Sequence, residues 1–130
     1  MTQGSTQSST LPESSTNVLV VEDEIVLRLR AVDIVEDAGF TAVEAVSADE
    51  ALAILESRSD ISLLFSDIQM PGSMNGLGLA HWITETLPGV KVLLTSGQIL
   101  PAVAREWTLL AKPYDMAEVE RRLREMTAGD

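Results

Sequence analysis

Charged and hydroxyl side chains follow four short apolar runs in this sequence. The residues are Glu22 and Asp23 after VLVV, Asp67 after LLFS, Ser96 after LLT, and Lys112 after LLA. If they met in one pocket, the carboxylates would repel one another unless a cation lay among them. A hard divalent cation such as Mg2+ takes carboxylate, water and phosphate oxygens as ligands. Ser96 and Lys112 add donors suited to a phosphoryl oxygen, so the set predicts phosphoryl chemistry.

Asp67 is the candidate nucleophile of this set. A charge at the end of an apolar strand costs free energy unless another group compensates it. A carboxylate can form an acyl phosphate, which would explain why Asp67 is there. Structural alternatives stay open for each residue alone: Asp67 could cap a helix or a turn, and Glu22 and Asp23 could complement a helix dipole.

Five short apolar runs must position these residues. Strands are predicted at 18–21, 41–45, 62–66, 90–95 and 107–111, and helices at 24–38, 47–57, 76–87 and 116–126. Short apolar strands that alternate with helices predict an α/β fold, a doubly wound parallel sheet with helices on both faces. Ligands of such sheets bind outside the carboxyl ends of the strands. All the polar residues named above are therefore expected at one edge.

The connection between the last two strands is short. Only ten residues, 97–106, separate them, and Pro101 lies in the middle. A whole crossover needs at least about 10–12 residues. The helix of this fourth crossover is therefore predicted to be short or missing.

Composition limits the classes of partner. The chain has 130 residues, a net charge of -11, and no cysteine. Such a charge disfavours direct binding of nucleic acid or anionic membranes, and the absence of cysteine and of a signal peptide favours a cytoplasmic protein. Residues 1–16, rich in Ser and Thr, are predicted to be a disordered tail, and 17–127 one folded domain.

Four motifs together resemble a known family. They are VLVVEDE at 18–24, LLFSDIQMPG at 63–72 with Gly76, LLTSG at 93–97 and LLAKP at 109–113. In this order and at strand ends, they are similar to the receiver domain of two-component response regulators, the CheY-like type. The resemblance implies a flavodoxin-like receiver fold of five βα units.

The resemblance also implies roles for the acidic residues. Asp67 would be the phosphorylation site. Mg2+ would be bound by Asp23, by Asp67 and by the main-chain carbonyl of Gln69, with Glu22 acting partly through water.

Further roles follow for residues after the fourth and fifth strands. Ser96 would be the switch hydroxyl that moves to the phosphoryl group, and Lys112 would contact the same group. Gly97 would leave room for a phosphodonor, Gln98 would stand where family members tune hydrolysis, and Pro113 would follow a cis peptide bond.

Two departures from the family pattern concern output. Ser73 lengthens the turn after Asp67 by one residue, and Leu109 stands where many receivers carry an aromatic switch residue. Coupling of the Ser96 hydroxyl to rotation of an aromatic ring is therefore not expected at position 109.

The function that the resemblance implies is signalling rather than catalysis. A histidine kinase or histidine phosphotransfer protein would be the phosphodonor, and a further protein would be the target. One alternative is a receiver fragment of a hybrid histidine kinase. Another is an aspartyl-phosphate phosphohydrolase of the haloacid dehalogenase type, which needs a second Asp two residues after the nucleophile, where this chain has Gln69.

Overall fold

A five-stranded parallel sheet lies at the centre of the protein in a computed structural model, which describes residues 16–97 and 107–128. The strands are β1 (Asn17–Val21), β2 (Thr41–Ala45), β3 (Ile61–Asp67), β4 (Lys91–Ser96) and β5 (Thr108–Ala111). Their order in the sheet is β2-β1-β3-β4-β5, and every neighbouring pair is parallel. The predicted doubly wound parallel sheet is confirmed.

Four helices connect or follow the strands in the described ranges. They are α1 (Ile25–Asp37), α2 (Ala48–Ser57), α3 (Gly76–Thr86) and α4 (Met116–Thr127). In those ranges, each helix is too short or too polar to cross a bilayer. The crossover predicted to be short or missing falls on residues 98–106, outside the described residues.

The predicted tail also lies outside the described residues, apart from its last position. The carbonyl of Thr16 accepts a hydrogen bond from the amide of Thr41, with an N···O distance of 2.9 Å. The backbone of Thr16 therefore already contacts β2, one residue before the predicted start of the domain.

The core forms one layer on each face of the sheet. Alternate residues of β1 divide between them, because successive side chains of a strand point to opposite faces. Leu19 and Val21 pack with buried residues of α2 and α3, whereas Val18 and Val20 pack with buried residues of α1 and α4. Both faces of the sheet are thus covered, which explains why the inner strands β1, β3 and β4 are mostly apolar.

Polar side chains set the start of α2. The hydroxyl of Ser47 accepts from the amide of Glu50 at 3.1 Å, and the carboxylate of Glu50 accepts from the amide of Val46 at 2.8 Å. This is a capping box, except that the Glu50 carboxylate accepts from the residue before the N-cap.

Gly76 allows α3 to begin directly beneath the end of β3. A Cβ atom at position 76 would overlap the carbonyl oxygen of Asp67 and lie 2.8 Å from the Cα of Ile68. The amide of Gly76 donates to the carbonyl of Ile68 at 3.0 Å. The close approach fixes where the loop after Asp67 rejoins the fold, and so positions the residues of that loop.

Candidate functional site

Three carboxylates converge at the carboxyl edge of the sheet. One oxygen from each of Glu22, Asp23 and Asp67 lies within 4.8 Å of the others. Glu22 and Asp67 are buried, with 6% and 7% of their surface exposed, whereas Asp23 is exposed. The structure therefore brings together the acidic residues that the sequence places at strand ends.

Strand register explains this convergence. β1 and β3 are neighbours, and Val21 is paired with Ser66. The residues that follow the pair, Glu22 and Asp67, consequently leave the sheet side by side. Asp67 is itself the last residue of β3 and is paired with Thr95, so the next residue of β4, Ser96, lies at the same edge.

Lys112 supplies positive charge between the two buried carboxylates. Its Nζ atom lies 3.0 Å from Oδ2 of Asp67 and 3.3 Å from Oε1 of Glu22. The lysine side chain is itself only 20% exposed, so the pairs are partly shielded from water. Lys112 therefore compensates the charge of Asp67 at the end of the core strand.

The pKa values of Glu22 and Lys112 reflect this environment. Burial raises the pKa of the Glu22 carboxyl above 4.5, although the Glu24 amide and Lys112 oppose the rise. Burial acts to lower the pKa of Lys112, but the hydrogen bond and charge of Asp67, together with Glu22, outweigh it and hold that pKa above 10.5. Lys112 is therefore a cation at neutral pH.

The main chain of Glu22 is held by Arg28, which sequence reasoning missed. From α1, Arg28 donates through Nη1 to the carbonyl of Glu22 at 3.0 Å and through Nε to the carboxylate of Glu44 at 3.1 Å. Arg28 lies in α1, six residues after Glu22. That spacing does not predict a contact between an arginine and a main-chain carbonyl. Its contact orients the β1–α1 turn that carries Glu22 and Asp23.

Asp23 is the carboxylate best placed to receive a cation. It is exposed, and among the described residues no side chain pairs with its carboxylate. Three carboxylate oxygens within 4.8 Å form a hard donor set with an open side for water. This arrangement fits Mg2+, which retains several water ligands when bound to protein.

Gln69 contributes a side chain that the sequence did not single out. Its main-chain amide donates to Oδ1 of Asp67 at 3.2 Å, and its side-chain Oε1 accepts from the hydroxyl of Ser96 at 2.9 Å. Sequence reasoning assigned only the carbonyl of Gln69. A polar residue two positions after Asp67 was the available signal.

Two of the remaining predicted residues, Gly97 and Pro113, lie next to Lys112. The Lys112–Pro113 peptide bond is cis, as the resemblance implies. Gly97 is exposed, and a Cβ there would meet nothing closer than the Cβ of Lys112 at 4.0 Å. Gln98 lies outside the described residues. Leu109 is half-buried and packs on the core. The ring of Tyr114, the residue after Pro113, lies tilted at 53° to the ring of Phe65, with the ring centroids 5.9 Å apart.

Replacing Lys112 by Met should destabilise the metal-free fold at neutral pH. It leaves Glu22 and Asp67 buried without the cation that bridges them. Removing one partner of a fully buried pair costs several kcal/mol, and because Lys112 is partly exposed we expect about 2 kcal/mol. Chemical denaturation with and without Mg2+ measures this, and Mg2+ should restore part of the loss.

Lys91→Met is the matched control. Lys91 donates to the carbonyl of Met126 at 2.7 Å, on a different part of the fold. The Lys91→Met variant should therefore gain as much stability from Mg2+ as the parent does, whereas Lys112→Met should gain more. Equal responses of the two variants to Mg2+ would contradict the proposed role of Lys112 as the compensating cation.

Comparison with known proteins gives matches to one family. The sequence model described as the response regulator receiver domain matches residues 18–124. The sensor kinase CckA of Brucella abortus is 33% identical over 86% of this chain and 12% of the kinase, and the aerobic respiration control protein ArcA of Escherichia coli is 33% identical over 85% of this chain and 48% of that protein. The chain thus spans less than half the length of either relative.

A solved structure supports the same likeness. The receiver domain of the hybrid histidine kinase CckA superposes with a TM-score of 0.71 at 32% identity, covering 84% of this chain and 96% of that one.

Proposed function

We propose, since the chain belongs to the family of response regulator receiver domains, that Asp67 accepts a phosphoryl group while Mg2+ is bound beside it. One observation carries the proposal. The Asp67 carboxylate lies within 4.8 Å of the Glu22 and Asp23 oxygens and is hydrogen-bonded to Lys112 at 3.0 Å. A nucleophilic carboxylate, a set of hard ligands and a cation are therefore together in one partly open pocket.

Each residue has a proposed task around the metal. Asp23, Asp67 and the main-chain carbonyl of Gln69 would bind Mg2+ directly, and Glu22 would act partly through water. Bound there, Mg2+ would neutralise charge on the phosphoryl oxygens. The exposure of Asp23 and the burial of Glu22 support this division, because the open side of the pocket is the side of Asp23.

The transfer itself uses the carboxylate as a nucleophile. An oxygen of Asp67 forms a bond to phosphorus as the bond from phosphorus to the donor atom breaks, and the product is an acyl phosphate. Lys112 then pairs with a phosphoryl oxygen in place of the carboxylate oxygen that it contacts before transfer. Ser96, at the end of β4, donates a hydrogen bond from its hydroxyl to another phosphoryl oxygen. Gly97 leaves the approach to Asp67 open.

The family is one of signalling domains, and the proposed donor is a histidine kinase or a histidine phosphotransfer protein. Similarity to the CckA receiver favours a second possibility, that the chain is a receiver segment of a hybrid kinase. A dehalogenase-type hydrolase is disfavoured, because the amide of Gln69 cannot serve as the general acid that such an enzyme has at that position. A cytoplasmic location, and the absence of direct nucleic acid or membrane binding, stay predictions.

The chemical stability of the label tests the proposal. The protein should become labelled by acetyl phosphate, and faster by a phosphorylated histidine phosphotransfer protein. An acyl phosphate resists acid but is released by alkali and by hydroxylamine. The Ser96→Ala variant should still be labelled, because Ser96 contacts the phosphoryl group but does not carry it. A label that resists hydroxylamine would identify a hydroxyl ester instead, and loss of that resistant label in Ser96→Ala would place the ester on Ser96.

A further inference from the structure

We infer that the side chain of Gln69 restrains the Ser96 hydroxyl before phosphorylation and so sets how readily the site adopts its phosphorylated arrangement. The inference rests on the proposed function, which assigns Ser96 to a phosphoryl oxygen. Gln69 is thereby a positioning residue with two separate tasks, one for its main chain and one for its side chain.

One residue contacts both the phosphoacceptor and the switch hydroxyl. The main-chain amide of Gln69 donates to Oδ1 of Asp67 at 3.2 Å, while its side-chain Oε1 accepts from Oγ of Ser96 at 2.9 Å. Ser96 is 1% exposed, whereas Gln69 is exposed at the rim of the pocket. The contact therefore directs a buried hydroxyl toward the solvent side of the site.

The main chain of Ser96 has little freedom to move. It is the last residue of β4, it is paired with Ala111 of β5, and its carbonyl accepts from the amide of Lys112 at 2.8 Å. Any response of Ser96 to a phosphoryl group is consequently a rotation of its side chain.

The two arrangements of Ser96 exclude each other. A serine hydroxyl carries one proton, so it cannot donate both to Oε1 of Gln69 and to a phosphoryl oxygen on Asp67. The bond to Gln69 therefore stabilises the unphosphorylated arrangement alone. An interaction made in only one of two states shifts their equilibrium by its own free energy, and a typical net hydrogen bond corresponds to about a fivefold change.

Gln69→Met removes the side-chain oxygen that accepts from Ser96 and retains the main chain of residue 69. Met has a similar length, and the substitution leaves in place the main-chain carbonyl, which is the proposed metal ligand. With Mg2+ present, the variant should bind beryllium fluoride, a mimic of the phosphoryl group, about fivefold more tightly than the parent. Titration followed by tryptophan fluorescence or calorimetry measures the affinity, and melting curves verify that each variant is folded.

A double-mutant cycle with Ser96→Ala isolates the contact. In the Ser96→Ala background, the Gln69→Met substitution should leave the affinity for beryllium fluoride within about twofold, because no hydroxyl remains to be released. An equal gain in both backgrounds, or no gain in the parent background, would overturn the inference and leave the proposed function standing. If the parent protein bound no beryllium fluoride with Mg2+, the proposed function would fail and this inference with it.

Discussion

Replacing Asp67 by Asn should reduce phosphoryl incorporation to background, a loss of at least about 100-fold. The carboxylate oxygen is the atom proposed to attack phosphorus, and a neutral carboxamide is too weak a nucleophile to form the acyl phosphate. Asn is close to Asp in shape, and its side-chain oxygen can still accept the hydrogen bond that Asp67 receives from the amide of Gln69. The loss should therefore be chemical rather than a failure to fold.

Radioactive labelling or intact-protein mass spectrometry after treatment with acetyl phosphate and Mg2+ measures this loss. Asp33→Asn is the matched control, since it makes the same chemical change at an exposed position in α1, outside the acidic cluster. It should be labelled like the parent. Undiminished labelling of the Asp67→Asn variant would show that another residue accepts the phosphoryl group.

Removing Mg2+ is the second change with a large expected effect. A chelator should abolish labelling, because the phosphoryl oxygens would then approach three carboxylates with only Lys112 to offset the charge. In the proposed function, Mg2+ binds the folded pocket and not the unfolded chain. It should therefore stabilise the fold by about 2.7 kcal/mol at a hundredfold excess over its Kd.

Asp23→Asn should remove most of both effects of the metal. Asp23 is the exposed carboxylate of the cluster, and in the parts of the chain that the structure describes it has no paired side chain to lose. Its substitution should consequently leave the metal-free stability close to that of the parent. Melting curves of the parent, Asp23→Asn and Asp33→Asn, each with Mg2+ and with chelator, separate these contributions. A parent melting temperature that does not respond to millimolar Mg2+ would exclude the metal site.

The sheet and its edge were predictable from the sequence for a specific reason. The predicted strands are short runs of four to six residues, and they alternate with segments of helical spacing. Such strands can bury both faces of a sheet only when the sheet is parallel and covered by helices. All strands of such a sheet point the same way, so residues that follow them meet at one edge. That is why Glu22, Asp67 and Ser96 could be assigned to one site from their positions alone.

Exposure within the acidic pair could not be predicted. Glu22 and Asp23 are adjacent acids, yet Glu22 is buried beside Lys112 and Asp23 faces solvent. Which of two neighbours turns inward depends on the path of the β1–α1 turn. That path is set in part by the contact of Arg28 with the main chain of Glu22, a tertiary contact without a sequence signal.

By itself, the sequence determined the parallel sheet, the strand ends and the types of residue at the carboxyl edge of the sheet. The tertiary structure alone decided which of those side chains form hydrogen bonds with one another. Lys112 bridges Glu22 and Asp67 across 90 and 45 positions of the chain, and Gln69 accepts from Ser96 across 27. Spacing determines the face and the edge at which a residue lies. Its hydrogen-bond partner depends on side-chain rotamers, which are selected only when the strands and helices pack together.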